Sequence, residues 1–370
     1  MPFISACMIV RDEAKNLPDC LASIQGQVDE IVIVDTGSVD DTVRIGREHG
    51  ARVSMMEWTG DFSIARNRSL ALAQGSHLFV IDADETAPPD LGLRIRAFIA
   101  AHPQALGRIR IRSAYRTATA QALYSTASVS RLLPNIPGVM FAGAIHEQLL
   151  CTGLDLPRLN TGITLEHYGY ALTAEQAEIK SLRNKSLLEA ALGANPHDAY
   201  LWFQLGKTLQ ASGDWAEAET AYERSWMLLQ PGGAHGVNFT PGLLLGYLHA
   251  LKQQKKPDQF FSLMDIAQDL YPDLPDLPFL LAGGLMSFGI PDFDRIRRCY
   301  ERSLEIGEQG VRYDGVEGTG SYLAWYNLGA FNEALGNTAA AVAAYAKSAE
   351  LGYAAAIPAA QRLGVRRADG

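Results

Sequence analysis

His77-Leu78-Phe79-Val80-Ile81-Asp82-Ala83-Asp84-Glu85 is a run of strand-forming residues that ends in two carboxylates, at i and i+2. Its first five residues suit a short buried strand. In extended chain Asp82 and Asp84 project from the same side. Such a pair at the carboxyl end of a strand can hold a divalent cation, and the cation can hold a diphosphate. Mg²⁺ or Mn²⁺ bound by only one or two carboxylates takes the rest of its shell from substrate phosphates. The bland alternative is a solvated acidic turn ahead of Pro88-Pro89.

The upstream sequence weighs against the bland reading. Phe3 to Val10 reads as a strand, and Arg11-Asp12-Glu13-Ala14-Lys15-Asn16-Leu17 leads into a helix with Leu17, Leu21 and Ile24 at helical spacing. Glu30 to Val34 is a second buried strand. It ends in Asp35-Thr36-Gly37-Ser38-Val39-Asp40-Asp41-Thr42, a loop with Gly for a tight turn and residues suited to capping the next helix. Strand, helix, strand and helix make a βαβ pattern, and parallel strands present the loops at their carboxyl ends to one crevice. Asp35 and Asp82/Asp84 then face the same cleft. One carboxylate suits the N–H of a base, and the others a ribose hydroxyl and a metal.

Arg11-Asp12-Glu13, the segment from Val34 to Thr42, Trp58 through Asp61-Phe62-Ser63-Ile64-Ala65-Arg66-Asn67, and Asp82-Ala83-Asp84-Glu85 together resemble the family 2 glycosyltransferases. The similar subgroup holds lipopolysaccharide-core glucosyltransferases and peptide S-glycosyltransferases of the sublancin type. The resemblance covers roughly residues 1–175. It implies an α/β GT-A (Rossmann-like) fold, a nucleotide-diphosphate sugar donor, a divalent metal and inversion at the anomeric carbon. It also implies that Asp35 contacts the base or ribose, that Asp82 approaches the ribose or the metal, and that Asp84 is the direct metal ligand. Arg66 and Asn67 would border the donor, with Arg11 and Glu13 among the nucleotide-sugar contacts. A cationic Arg beside a diphosphate makes a charge-assisted contact that neutral residues cannot replace.

Gly143-Ala144-Ile145-His146-Glu147-Gln148-Leu149 places two titratable residues side by side, where the similar subgroup carries a His-Glu pair. An inverting transfer needs one general base near the acceptor hydroxyl or thiol. Glu147 is taken as that base and His146 as its orienting or phosphate-contacting partner. The alternative is a surface pair. Glu166-His167-Tyr168-Gly169-Tyr170 resembles a late His-x-Gly-Tyr signature, which implies that His167 completes the metal shell and favours Mn²⁺ over Mg²⁺. The alternative is a structural His.

The chain has 370 residues, 48% of them hydrophobic and 20% charged, which suits two globular domains with substantial cores. A formal net charge of −9 argues against a nucleic-acid binder, which needs Lys and Arg to neutralise phosphates. It does not argue against a nucleotide sugar held through a metal. Cys7, Cys20, Cys151 and Cys299 are scattered and form no Cys-x-x-Cys, so neither a zinc site nor a disulfide frame is expected. No leader and no run of membrane-spanning length stands out, and the expected location is the cytoplasm.

Beyond Ala171 helical periodicity takes over. Trp202, Leu205, Gly206, Gly213, Ala218 and Tyr222 are matched, at one constant offset, by Trp325, Leu328, Gly329, Gly336, Ala341 and Tyr345. The internal spacing resembles the tetratricopeptide repeat, in which small residues sit where paired helices cross and large ones fill the space beside them. Weaker copies run from about Pro241 to Pro272 and from about Pro278 to Leu304. The expected organisation is a GT-A domain over 1–175, a linking and capping helix over 176–198, about four repeats forming an all-α superhelix over 199–355, and a C-terminal helix and tail over 356–370. Such repeats present a concave surface to a peptide or partner. They would bind a protein, peptide or glycan acceptor or another protein, or serve packing and homodimerisation. Two rival functions stay open: a non-enzymatic repeat scaffold with a decayed catalytic domain, and a nucleotidyltransferase. The latter normally carries a Gly-rich basic phosphate loop where this chain has Arg11 to Lys15.

Overall fold

Alternation of side chains across extended backbone decides how the first strands are buried. In strand β1 (Ile4–Val10), Ile4, Ala6, Met8 and Val10 enter one core cluster, while Cys7 enters another on the opposite face. The computed structural model describes residues 2–116, 122–167, 174–229, 237–310 and 312–365. Tyr168, Gly169, Tyr170 and the basic end at Arg366-Arg367 lie outside these residues. The chain forms two units, Met1–Ala114 with Thr126–Pro196, and Tyr115–Ser125 with His197–Gly370. No described helix is long and apolar enough to cross a membrane.

The first unit follows the expected βαβ path. Helix α1 (Leu17–Ile24) begins with Pro18 in its first turn, where a missing N–H costs nothing, and buries Leu17, Leu21 and Ile24. It leads to β2 (Glu30–Asp35), α2 (Thr42–Glu48), β3 (Arg52–Met55), α3 (Phe62–Leu72) and β4 (His77–Val80). Next come β5 (Glu85–Thr86), α4 (Leu91–Ala101), β6 (Leu106–Arg116), β7 (Ala122–Pro134), β8 (Val139–Ala142), β9 (Gln148–Cys151), β10 (Arg158–His167) and α5 (Ala174–Ala194). The sheet order is β3-β2-β1-β4-β7-β6-β10-β5. β1 through β4 are mutually parallel, β7 is antiparallel to β4, and β10 runs parallel to β6 and antiparallel to β5.

After β1 the chain moves outward through β2 and β3, then returns to lay β4 on the other side of β1. The crevice beyond the carboxyl ends of β1 and β4 is therefore the topological switch point, the usual ligand position in such sheets. One face of the sheet is covered by α1 and α4, with Leu21, Ile24, Leu91, Ile95 and Phe98 against Phe79 and Ile81. On the other, Leu70 of α3 and Phe141 and Leu149 of the β8–β9 hairpin pack on Cys7, Leu78, Val80 and Leu133.

The second unit is helical: α6 (Ala199–Ser212), α7 (Trp215–Leu229), α8 (Thr240–Gln253), α9 (Pro257–Leu270), α10 (Asp276–Ser287), α11 (Phe293–Ile306), α12 (Tyr322–Ala334), α13 (Thr338–Glu350) and α14 (Ala356–Val365). α6 with α7, α8 with α9, α10 with α11 and α12 with α13 form consecutive pairs. The glycine–aromatic matches read from sequence are the crossing points. A Cβ on Gly206 would lie 2.5 Å from the Tyr222 ring, and one on Gly329 would lie 2.7 Å from the Tyr345 ring. Both tyrosines are buried. The loop before α12 is pinned by a buried carboxylate, since Asp276 accepts from the Val316 N–H at 3.1 Å and from the Thr319 hydroxyl at 3.1 Å.

Candidate active site

The loops at the carboxyl ends of β1 and β2 are knitted together through side chains. Asp35, fully buried, accepts from the Gly37 N–H at 3.0 Å and the Ser38 N–H at 2.9 Å, both on Oδ1. Gly37 permits this turn because its φ is +107°. The Asp12 N–H donates to Ser38 Oγ at 2.8 Å, the Val39 N–H to Asp12 Oδ1 at 2.8 Å, and the Glu13 N–H to Thr42 Oγ1 at 2.8 Å. Hydroxyls and carboxylates recur through residues 35–42 because each satisfies a loop N–H that no strand partner reaches.

Asp35 Oδ2 is buried and, among the described residues, has no hydrogen-bond partner. A buried acceptor without a donor costs about 1–3 kcal/mol. Glu13 lies deeper than Arg11. Burial pushes its carboxyl up, against a hydrogen bond from Asn16, and the charges of Asp84 and Asp82 push the same way. Arg11 is largely exposed and sits 3.8 Å from Asp12.

Beyond β4 the carboxylates meet a row of cations. Asp82 Oδ2 accepts from Arg131 Nη2 at 2.6 Å, and Asp82 Oδ1 faces both Nη atoms of Arg66 at 3.3 Å. Burial works to raise the Asp82 carboxyl, but Arg131 and then Arg66 hold it well below the usual carboxylate range. Arg131 Nη2 also reaches Glu85 Oε1 at 3.1 Å, and the Asp82 N–H donates to Glu85 Oε2 at 2.9 Å. Burial, partly offset by Arg131, pushes Glu85 up to about 7. Arg131 Nη1 is buried and has no partner among the described residues.

Arg131 was not anticipated from sequence. It lies on β7, where Leu132 pairs with Phe79, so it stands beside the carboxyl end of β4. A single cation in the strand segment Val129-Ser130-Arg131-Leu132-Leu133 was the available signal. Its partners lie 46 and 49 residues away, a separation no local pattern encodes.

Asp84 Oδ2 lies 3.0 Å from His167 Nε2. The ring's Nδ1 is 3.0 Å from Ser113 Oγ, a second contact that orients the imidazole. Burial works against the imidazolium, yet the Asp84 hydrogen bond and charge raise the His167 pKa overall. Among the described residues no group of three or more His, Cys, Asp and Glu side chains is gathered for a metal. One carboxylate and one imidazole fit Mg²⁺ or Mn²⁺ only as a partial shell, of the kind completed by substrate phosphates and water.

The remaining residues lie on α3 and the hairpin. Asp61 caps α3, accepting from the Ser63 N–H at 2.8 Å and the Ile64 N–H at 3.2 Å. Trp58 and Phe62 pack edge to face at 4.7 Å, as packing residues should. Arg66 Nε donates to Glu147 Oε1 at 2.6 Å, and the Arg66 guanidinium lies 5.5 Å from the Phe141 ring centroid. Glu147 is thus brought to the Asp82 cluster through Arg66. His146 holds a φ of +51° in the turn before it. Asn67, expected to border the donor, also bonds the hairpin. Its amide N–H donates to Phe141 O at 2.8 Å, and its carbonyl accepts from the Phe141 N–H at 2.8 Å. Each polar end thus bonds β8, and the side chain holds the hairpin in place.

Residues 5–145 match the family model described as Glycosyl transferase family 2. A TPR repeat-containing protein of Synechococcus elongatus is 38% identical over 227 residues, which is 59% of this chain and 55% of that one. The SPbeta prophage-derived glycosyltransferase SunS of Bacillus subtilis is 28% identical over 212 residues, 56% of this chain and 49% of its own. The chain spans about half the length of these curated relatives. Among solved structures, S. aureus TarS 1-349 superposes with a TM-score of 0.36 at 14% identity, covering 82% of this chain and 90% of that one.

Proposed function

Taking residues 5–145 as a glycosyl transferase family 2 domain, we propose that the protein moves a sugar from a nucleotide-diphosphate donor, a UDP-sugar in the first instance, to a protein, peptide or glycan acceptor, with inversion. The observation that carries this is a pair of buried, unsatisfied polar atoms at the switch point: Asp35 Oδ2, which can only accept, and Arg131 Nη1, which can only donate. A nucleotide sugar brings both complements, an N–H or hydroxyl for Asp35 and oxyanions for an arginine.

Asp35 orients the base or ribose, and Asp82, held anionic by its arginines, takes a ribose hydroxyl. Arg66 and Arg131 supply charge-assisted donors toward the diphosphate. Asp84 and His167 would hold Mg²⁺ or Mn²⁺, whose role when bound is to neutralise the leaving diphosphate. Glu147 removes the acceptor proton, and His146 shapes the turn that presents it. The acceptor then attacks from the face opposite the diphosphate. The helical repeats are assigned to acceptor or partner binding.

The test is nucleotide release and equilibrium binding across a panel of sugar nucleotides with Mn²⁺, Mg²⁺ or EDTA, for the native chain and Asp84→Asn. One donor bound and turned over in a metal-dependent way, with both lost in the variant, supports the reading. Failure of every donor to bind with either metal overturns it. The weight then moves to the repeats as a scaffold.

A further inference from the structure

Among the described residues of this site, the shortest carboxylate–arginine contacts are Glu147–Arg66 and Asp82–Arg131, each at 2.6 Å. Their side chains are 12% and 10% exposed, so the pair is poorly screened by water. The same guanidinium turns both Nη atoms toward Asp82 Oδ1, but at 3.3 Å, while Arg131 takes the other Asp82 oxygen at 2.6 Å. Asp82 therefore has a close cation of its own. Arg66 has its tight bond on the acceptor-side loop, through Nε, and a looser edge on the donor side.

Resting on the glycosyltransferase reading above, we infer that Arg66 is a positioning residue shared between the two substrates: it sequesters Glu147 while the donor site is empty and releases it when a nucleotide diphosphate draws the guanidinium away. A diphosphate offers an arginine bidentate oxyanion partners that compete with a single carboxylate oxygen. The exchange needs only side-chain motion. The loop bearing Glu147 is fixed to α3 independently, by the Phe62 N–H on Ala144 O at 2.9 Å and by the double clamp of Asn67 on Phe141. The base then becomes competent only after the donor arrives. That order protects a proton acceptor from idle pairing with water and favours donor-first binding.

Linkage makes the idea testable without turnover. If the donor must pull Arg66 off Glu147, the pair opposes donor binding, and the coupling is reciprocal. UDP with Mn²⁺ is the probe, with affinity measured by calorimetry on the full chain. Glu147→Gln keeps the shape and removes the charge, and it is expected to bind UDP about fivefold tighter or more. In an Arg66→Met background the same substitution is expected to change the affinity little, because the effect runs through Arg66. Tightening of the same size in both backgrounds would show simple repulsion between Glu147 and the ligand and overturns the inference. Unchanged or weaker binding by Glu147→Gln overturns it as well. On the native chain, labelling of Glu147 by a carbodiimide and an amine, followed by peptide mass spectrometry, is expected to rise when UDP and Mn²⁺ are added. No rise overturns the release step even where a variant folds poorly. If the native chain binds neither UDP nor GDP with Mn²⁺ or Mg²⁺, the donor reading itself fails, and that result is distinct from binding without coupling.

Discussion

Asp35 shows how much one oxygen decides. Its Oδ1 is used by the loop and its Oδ2 is left over. Asp35→Asn retains the loop acceptor and places an NH₂ group where the spare oxygen stood. Two donors then face each other when a base N–H or ribose hydroxyl arrives. UDP affinity is expected to fall about tenfold while the melting temperature stays near native, a loss in line with one charge-assisted hydrogen bond. Calorimetry beside a thermal melt separates the two effects. Arg131 bears on folding as well as on binding. Arg131→Met leaves Asp82 and Glu85 together without their shared cation, so folding stability is expected to drop by about 3–5 kcal/mol, read from urea unfolding. Asp35, Asp82 and Asp84 were picked out in sequence because each ends or follows an apolar run. Arg131 and Ser113 were not, because their meaning comes only from partners brought together by the sheet.

At the scale of elements, the Asn67 amide works as a clamp on β8. Asn67→Ala strands the N–H and C=O of Phe141 and is expected to cost about 2 kcal/mol. Its signature is faster hydrogen exchange confined to residues 139–151. The β8–β9 hairpin it holds was not legible beforehand. Its strands are short, and the turn between them depends on Gly143 at φ +105° and His146 at φ +51°. The helix pairs were legible, because the glycine that admits a tyrosine recurs with the tyrosine itself. Gly206→Ala and Gly329→Ala drive a methyl into the Tyr222 and Tyr345 rings, and each is expected to destabilise by about 1–3 kcal/mol in thermal or urea melts. Gly193→Ala in α5 is the control. No atom lies within 4 Å of its would-be Cβ, and helix propensity alone predicts a gain of up to about 1 kcal/mol.

For the molecule as a whole, the change from strand-like to helical periodicity near residue 171 told of two architectures. It carried no account of the charges each one buries. Asp276 is such a charge. It lies in the first turn of α10, 8% exposed, with Glu308 adding repulsion, and burial pushes its carboxyl from 3.8 up to about 6. The folded carboxyl therefore holds its proton more tightly than the unfolded one. Stability from this group is greatest below about pH 4 and is lost as the pH rises through about 6. Asp276→Asn keeps an acceptor for the Val316 N–H and turns its NH₂ toward the Thr319 hydroxyl, which can accept. The variant is expected to match the native chain near pH 4.5 and to exceed it near pH 7.5 by up to about 2 kcal/mol, since a tenfold change in proton affinity corresponds to about 1.4 kcal/mol. Taking the difference between the two chains cancels every other titrating group, including Glu85 and Asp82. A difference that stays constant between the two pH values would mean that Asp276 carries no buried charge at neutral pH. A native chain that gains on its variant as the pH rises would mean that the ionised carboxylate, through Val316 and Thr319, is what holds the loop before α12.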